Sequence, residues 1–328
     1  MKRLVTPAVA LFFLSPAVGE LLSSSSPPAE FFQPFTFLLL ASLYGSGALI
    51  VHELAHRWRK GWPGVLLLGA AYGIVEEGLA VKSFFDPNWM DLGPLGVYGR
   101  WAGVNWVWSV GLTIYHAVFS IGIPILLVGL LFPARRRHSW LSSNGFRWIA
   151  GLLGAATLFI NLALTPYRPS LLAHLLAAAS VIGLGVWARR AGTPQPAANP
   201  PALGSPLRVG LAGFAATVGL FLLLWFLPNT PVPAIVWMGL TLAYVAWLWA
   251  RFGRLTTHPG WSPSHALAIA SGGLTFFILL SPVVEFDGNR LDNTQGAMLV
   301  GLATAILLVW GARRLRRQRW DLPGAAPS

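Results

Sequence analysis

Residues 107–137 read VWSVGLTIYHAVFSIGIPILLVGLLFPARRR, and this stretch decides the fold class. Its first 26 residues contain no Asp, Glu, Lys or Arg, and three consecutive Arg follow almost at once. About 20 apolar residues are enough for an α-helix to cross the hydrocarbon core of a bilayer. The stretch therefore predicts a membrane-spanning helix that ends in a basic connection on one side of the membrane.

The composition of the whole chain agrees with a membrane protein. Of its 328 residues, 55% are hydrophobic and only 10% are charged, whereas soluble domains carry about 25% charged residues. The net charge of +12 does not indicate nucleic-acid binding, because the basic residues lie between apolar segments. The absence of Cys excludes disulfides and Cys-ligated metals. We expect membrane lipids as partners, a substrate of unknown class and no cofactor.

Ten apolar segments are candidates for membrane spans. They comprise residues 4–22, 35–56, 64–84, 107–132, 148–164, 170–188, 209–227, 234–250, 265–284 and 297–311. Short connections that contain Pro, Gly and Ser separate them. The first segment also reads like a signal peptide, but Pro7 and Pro16 interrupt it, so we expect an uncleaved helix. The sequence thus predicts an all-α, polytopic transmembrane helix bundle of about ten spans.

The distribution of charge predicts how the bundle is oriented. With the N-terminus placed in the cytoplasm, nineteen of the 23 Lys and Arg residues fall on the inner side, as membrane proteins favour. Seven of the eleven acidic residues fall on the outer side. We therefore expect both termini to be inside. The excess of Arg over Lys is consistent with a bacterial source, which predicts a location in the bacterial cytoplasmic (inner) membrane.

One connection differs from the others in composition. Residues 191–208 are rich in Pro and Ala, and this pattern predicts a loose cytoplasmic linker. The linker divides a six-span half, residues 1–190, from a four-span half, residues 209–328, which ends in a basic cytoplasmic tail. Nearly all ionisable residues inside spans belong to the N-terminal half, so we expect the functional site there.

Glu76, Glu77 and His116 are the candidate catalytic residues, since ionisable groups inside spans are costly and usually functional. The two carboxylates lie on the third span and His116 on the fourth, each about 13–14 Å from the outer end of its span at 1.5 Å per residue. These spans are joined on the outside, so the three side chains can meet. Because adjacent helical residues point about 100° apart, we expect the two carboxylates to face different partners.

Further polar residues are candidates for binding near the same outer face. Asn161 and His174 lie a few residues below that face and are expected to complete a polar pocket. We expect one carboxylate to line a cavity and the other to meet Tyr72, Lys82 or a neighbouring helix. The connection at residues 86–108 carries four Trp and joins the third and fourth spans. It is either a lid over the pocket or a loop resting on the membrane interface.

A Glu-Glu pair with a His on the next helix resembles the glutamate-type intramembrane proteases of the CAAX-processing (CPBP) family. The resemblance implies that a Glu activates water and that His and Asn residues stabilise the oxyanion. The sequence departs from the family at Val81, Leu112 and Ala178, where the family has a basic residue, Phe and Asn.

The chain as a whole resembles uncharacterised bacterial multi-pass membrane proteins. Three hypotheses stay open: a membrane-embedded hydrolase, a transporter or ion- or proton-coupled protein, and an assembly protein.

His52-Glu53-Leu54-Ala55-His56 is an HExxH string, which places two imidazoles one helical turn apart where they can share zinc. It resembles the motif of metalloproteases, including the site-2 intramembrane proteases. Those enzymes also use an Asp-Gly pair on a later helix. The Asp-Gly pair of this chain, at 287–288, is predicted on the opposite side of the membrane. The other interpretation is an amphipathic, interfacial helix end, so His52 and His56 are kept only as an alternative metal site.

Overall fold

A computed structural model of the chain describes residues 5–90, 92–136, 138–192, 195–196, 200 and 202–320. Ten apolar helices dominate this part of the chain. They are α1 Pro7–Leu21, α2 Pro34–Arg57, α3 Trp62–Ala80, α4 Trp106–Leu131, α5 Ser143–Leu164, α6 Leu171–Arg190, α7 Pro206–Asn229, α8 Ala234–Thr256, α9 Pro263–Glu285 and α10 Ala297–Trp320. The last nine are long and apolar enough to cross a membrane, and α1 is shorter. This confirms the all-α polytopic bundle.

The remaining regular structure is short and lies in the connections. A one-turn helix, Pro28–Phe31, separates α1 from α2. Between α3 and α4 come a 3-10 turn, Gly93–Gly96, and two antiparallel strands, β1 Arg100–Trp101 and β2 Val104–Asn105. A second 3-10 turn, Pro133–Arg135, follows α4. The predicted linker, residues 191–208, falls partly outside the described residues.

Local sequence explains where several helices begin. Ser142, Ser170 and Ser205 precede α5, α6 and α7, and each side-chain oxygen accepts the backbone N–H of the residue three positions later. Such caps satisfy N–H groups that have no partner inside the helix. Pro63 occupies the first turn of α3, where its missing N–H costs nothing.

Six of the described helices contain π-type turns, in which the backbone bonds skip one more residue than in an α-helix. The turns are Ala17–Leu21 in α1, Ala41–Gly45 in α2, Val75–Ala80 in α3, His116–Gly122 in α4, Ile160–Leu164 in α5 and Leu222–Phe226 in α7. Such turns are rare in proteins overall, and those that occur are often found at functional sites. Five of the six lie in the first five helices.

The C-terminal helices pack against α4 through aromatic side chains. The ring of Phe277 on α9 makes edge contacts with Phe119 on α4 and Phe221 on α7, at centroid distances of 5.1 and 5.4 Å. Helices α7 and α9 approach so closely that a Cβ at Gly272 would overlap the carbonyl of Gly210. Small residues permit such close packing between membrane helices. Helix α4, which carries His116, therefore packs against α9 and is held by the aromatic contacts of α7 and α9.

Candidate functional site

The three candidate catalytic residues meet inside the bundle. Nε2 of His116 lies 3.0 Å from Oε1 of Glu77, and its Nδ1 lies 3.2 Å from Oε2 of Glu76. Glu76, Glu77 and His116 are 3%, 8% and 1% exposed, so all three are buried. The structure thus places one imidazole between two carboxylates of the preceding helix.

The expectation that Glu76 and Glu77 face different partners is wrong, because both contact His116. Two features make this possible. The pair lies in the π-type turn Val75–Ala80, where the side-chain directions of a regular α-helix no longer apply. The imidazole also has a nitrogen on each of two edges, so each carboxylate contacts a different atom of the ring.

A third carboxylate, Glu20 on α1, joins the site and was not identified from the sequence. The Tyr44 hydroxyl donates to Oε1 of Glu20, and Ser26 Oγ donates to Oε2 at 3.1 Å. The ring of Tyr44 lies 5.9 Å from that of His116, and Glu20 interacts electrostatically with both His116 and Glu77. Charge counting assigned Glu20 to the outer connection. The feature of the sequence that could have identified Glu20 as a site residue is its position at the end of an apolar segment.

Two serine hydroxyls orient Glu77 and His116. Ser83 Oγ donates to Oε2 of Glu77 and accepts the indole N–H of Trp108 at 3.0 Å. On the other side, Ser120 Oγ lies 3.0 Å from Nδ1 of His116. Ser and Thr are common in membrane helices, so the sequence alone gives no strong signal for these two positions.

Tyr72, a predicted binding residue, lines the same interior. Its ring lies 6.2 Å from His116 and 6.0 Å from Tyr44. Within the described residues, the Tyr72 hydroxyl and Oε2 of Glu76 are buried and have no hydrogen-bond partner. Gly47 on α2 makes room for the Tyr72 ring, since a Cβ at this position would overlap it. The site therefore contains buried side-chain oxygens that are able to form further hydrogen bonds.

The other predicted binding residues, Asn161, His174 and Lys82, form a separate group. Asn161 Nδ2 lies 3.2 Å from Nε2 of His174, and Lys82 Nζ donates to the carbonyls of Asn161 and Thr165 at 2.7 and 2.8 Å. Burial lowers the pKa of Lys82 to about 8. No hydrogen bond or ion pair in the described part of the chain joins this group to Glu77. Its contacts with carbonyls at the end of α5 favour a role in joining α3, α5 and α6.

The HExxH string holds a loop in place. The Glu53 carboxylate accepts hydrogen bonds from Ser139 Oγ at 2.6 Å and from the N–H groups of Trp140 and Leu141 at 2.7 and 3.2 Å. The ring of His52 stacks on Trp140 with 3.6 Å between centroids. Both carboxylate oxygens are therefore engaged by the connection between α4 and α5.

Among the described residues, one group of three or more His, Asp or Glu side chains is arranged to hold a metal ion. It is Glu76, Glu77 and His116, whose ligand atoms lie within 4.8 Å of one another. The rings of His52 and His56 are parallel with centroids 6.3 Å apart, and no third ligand completes a group with them in the described ranges.

The Trp-containing connection between α3 and α4 is anchored beside the site. Arg100 donates to the Phe85 carbonyl, and the Tyr98 hydroxyl donates to the Val232 carbonyl at 2.8 Å. Ser83, a residue of this connection, donates to Glu77 and accepts the indole N–H of Trp108 in the first turn of α4. The connection is thus ordered by specific bonds and is linked to the site by a direct hydrogen bond.

Comparison with known proteins gives one result. A family model described as "Uncharacterized membrane protein family" matches residues 9–285, which include every residue of the site. No curated protein matches the chain, and no solved structure does. The match covers more than four fifths of the 328 residues. The chain therefore belongs to an uncharacterized membrane protein family.

Proposed function

We propose that this protein is an ion-coupled membrane transport protein whose cation site is formed by Glu76, Glu77 and His116. The observation that carries the proposal is the excess of buried carboxylates. Glu76 and Glu77 are buried beside a single imidazole, with the half-buried Glu20 nearby, and the ion pairs of the described residues give the three carboxylates no Lys or Arg partner.

Burying an unpaired carboxylate is very costly, so buried acids take up a positive charge or a proton. Even with His116 protonated, three ionised carboxylates would leave the site with a net charge of −2. The site therefore favours the uptake of a further cation. Ionisable groups of this kind inside membrane proteins mark ion pathways and proton relays.

The backbone of the site supports the same proposal. Glu20, Tyr44, Glu76 and Glu77 lie in π-type turns, and His116 begins one. Four helices thus depart from regular α-helical geometry where their side chains converge, and π-type turns often occur at functional sites. The excess of Arg over Lys supports a bacterial cytoplasmic membrane as the location, and the distribution of basic residues along the chain supports both termini inside.

Ion flux through proteoliposomes tests the proposal. Vesicles containing pH-sensitive and metal-sensitive dyes are given inward gradients of H⁺, Na⁺ or Mn²⁺. We expect the wild type to pass at least one of these cations and Glu77→Gln to reduce the flux at least tenfold. Asp287→Asn, the same change in an exposed connection, should retain it. A wild type that passes none of the three, or Glu77→Gln flux equal to wild type, would contradict the proposal.

A second candidate, a membrane-embedded hydrolase, is favoured by the 3.0 Å contact between Glu77 and His116. A carboxylate that contacts an imidazole can act with it in general acid–base catalysis. These are the residues that the resemblance to the CPBP proteases assigns to catalysis. In this mechanism Glu77 accepts a proton from water, and His116 is its partner.

Mass spectrometry of cleaved peptides tests the hydrolase. Purified protein is incubated with a mixture of membrane-spanning peptides, and new termini are identified. The hydrolase predicts termini that appear with the wild type and Asp287→Asn but not with Glu77→Gln or His116→Gln. The same termini in all four samples would refute it, as would no cleavage by the wild type.

A further inference from the structure

We infer that Glu76, Glu77 and His116 bind a divalent transition-metal cation. The inference rests on the cation site of the proposed function and names its occupant. The ligand atoms of the three residues lie within 4.8 Å of one another, and His116 Nε2 is 3.0 Å from Glu77 Oε1. Metal–ligand bonds of about 2.0–2.2 Å place ligand atoms roughly 3–4 Å apart. Glu77 already faces Nε2, and the site forms when the side chain of Glu76, whose Oε2 lies 3.2 Å from Nδ1, rotates toward that edge of the imidazole.

The surroundings of His116 suit a metal ligand. Metal-binding imidazoles usually donate their other N–H to a fixed acceptor, which sets the tautomer. Here Nδ1 lies 3.0 Å from Ser120 Oγ. With the proton on Nδ1 and donated to Ser120, the lone pair of Nε2 faces Glu77 and is available to a cation. Ser83 fixes Glu77 from the other side through Oε2, which leaves Oε1 directed at the imidazole.

An independent observation comes from polar atoms that lack partners. Buried side-chain oxygens normally have a hydrogen bond. Within the described residues, the Tyr72 hydroxyl has none, and Glu76 Oε2 has only its 3.2 Å ion-pair contact with Nδ1 of His116; Tyr72 and Glu76 are each only 3% exposed. A cation ligated by Glu76 would give this carboxylate a stronger partner. The Tyr72 hydroxyl could then donate to the metal-bound carboxylate, which accounts for both atoms.

The donor set selects the class of metal. One imidazole nitrogen with two carboxylates matches Mn²⁺, Fe²⁺ or Zn²⁺. Ca²⁺ and Mg²⁺ prefer oxygen ligands alone, and Cu⁺ prefers sulfur, which the chain cannot supply from Cys. A dication also neutralises the charges of Glu76 and Glu77, which leaves Glu20 to its bonds with Tyr44 and Ser26.

Electron paramagnetic resonance of bound Mn²⁺ tests the inference without any substitution. The full-length protein in nanodiscs is stripped with a chelator and titrated with Mn²⁺ or Zn²⁺. We expect about one equivalent of tightly bound metal, with electron spin-echo modulation from a single directly ligating imidazole nitrogen. Binding of neither metal, or bound Mn²⁺ without nitrogen modulation, would overturn the inference.

Variants then locate the metal on the chain. Glu77→Gln and His116→Gln should weaken Mn²⁺ affinity at least tenfold, and His116→Gln should also abolish the nitrogen modulation. His56→Ala and Asp287→Asn should bind as the wild type does. Metal binding that is lost in His56→Ala and kept in His116→Gln would overturn the inference in favour of the HExxH string. Proteoliposomes that pass H⁺ or Na⁺ while the protein binds no metal would refute this inference and leave the proposed function standing.

Discussion

Nε2 of His116 lies 3.0 Å from Oε1 of Glu77, although the two residues are 39 positions apart in the chain. The contact joins α3 to α4 in the interior of the bundle, where both side chains are buried. A charged or hydrogen-bonded pair at such a place couples the positions of the two helices. The stability of the bundle should therefore depend on residues that position this contact.

The fit of Tyr72 against Gly47 gives the first prediction. A methyl group at Gly47 would overlap the Tyr72 ring, so Gly47→Ala should displace the ring and lower the free energy of unfolding by about 1–3 kcal/mol. Gly151→Ala is the matched control, because nothing lies within 4 Å of a Cβ at that position of α5. It should leave the stability unchanged or raise it by up to about 1 kcal/mol. Unfolding in detergent measures the stability of both variants, and equal effects of the two substitutions would contradict the close contact between Gly47 and the Tyr72 ring.

Ser83 and Trp108 give the second prediction. Ser83→Ala removes the hydroxyl that donates to Glu77 Oε2 and should cost about 1–3 kcal/mol, because a buried acceptor loses its partner. Trp108→Phe removes the indole N–H that donates to Ser83 together with part of the packed ring, and the lost hydrogen bond alone should cost about 0.5–1.5 kcal/mol. The same unfolding assay ranks the two variants. A Ser83→Ala protein as stable as wild type would show that the hydroxyl does not bond Glu77.

The third prediction concerns the loop held by Glu53. The carboxylate accepts three hydrogen bonds from residues 139–141, and bonds to a charged group contribute about 1.5–3 kcal/mol. Glu53→Gln should speed amide hydrogen exchange at Trp140 and Leu141. His56→Ala, one turn further along α2, should leave that exchange unchanged. Wild-type exchange rates in Glu53→Gln would contradict this role of the carboxylate.

The fold was largely predictable because the bilayer restricts the choices. Apolar segments of about 20 residues have to form helices when no water is present to bond the backbone, and nine such helices occur in the described residues. The first segment shows the limit of this reasoning. Its helix, Pro7–Leu21, has 15 residues, which is about 22 Å at the rise of an α-helix.

The site was predictable only in part. Depth counted from the outer ends brought Glu76 and Glu77 together with His116, and the structure shows that contact. The same counting also placed Asn161 and His174 near the outer face. It did not show that Asn161 bonds His174 and Lys82, with none of the three bonded to Glu77 in the described residues, because depth gives no information on which way a helix is rotated.

The backbone explains what sequence patterns missed. A π-type turn changes the direction of every side chain that follows it. The amino-acid types at residues 75–80 and 116–122 do not indicate that such turns occur there. These turns allow both adjacent carboxylates to contact one imidazole. Glu20 and Tyr44 also enter the site from such turns. A regular helical wheel therefore fails where the functional side chains converge.

A double-mutant cycle measures the interaction between Glu77 and His116. Glu77→Gln, His116→Gln and the double variant are unfolded under the same conditions, and the coupling energy is taken from the four free energies. Residues in direct contact show coupling of about 0.5–3 kcal/mol, and this is the expected result. Effects that add within about 0.3–0.5 kcal/mol would contradict a site in which these two side chains meet.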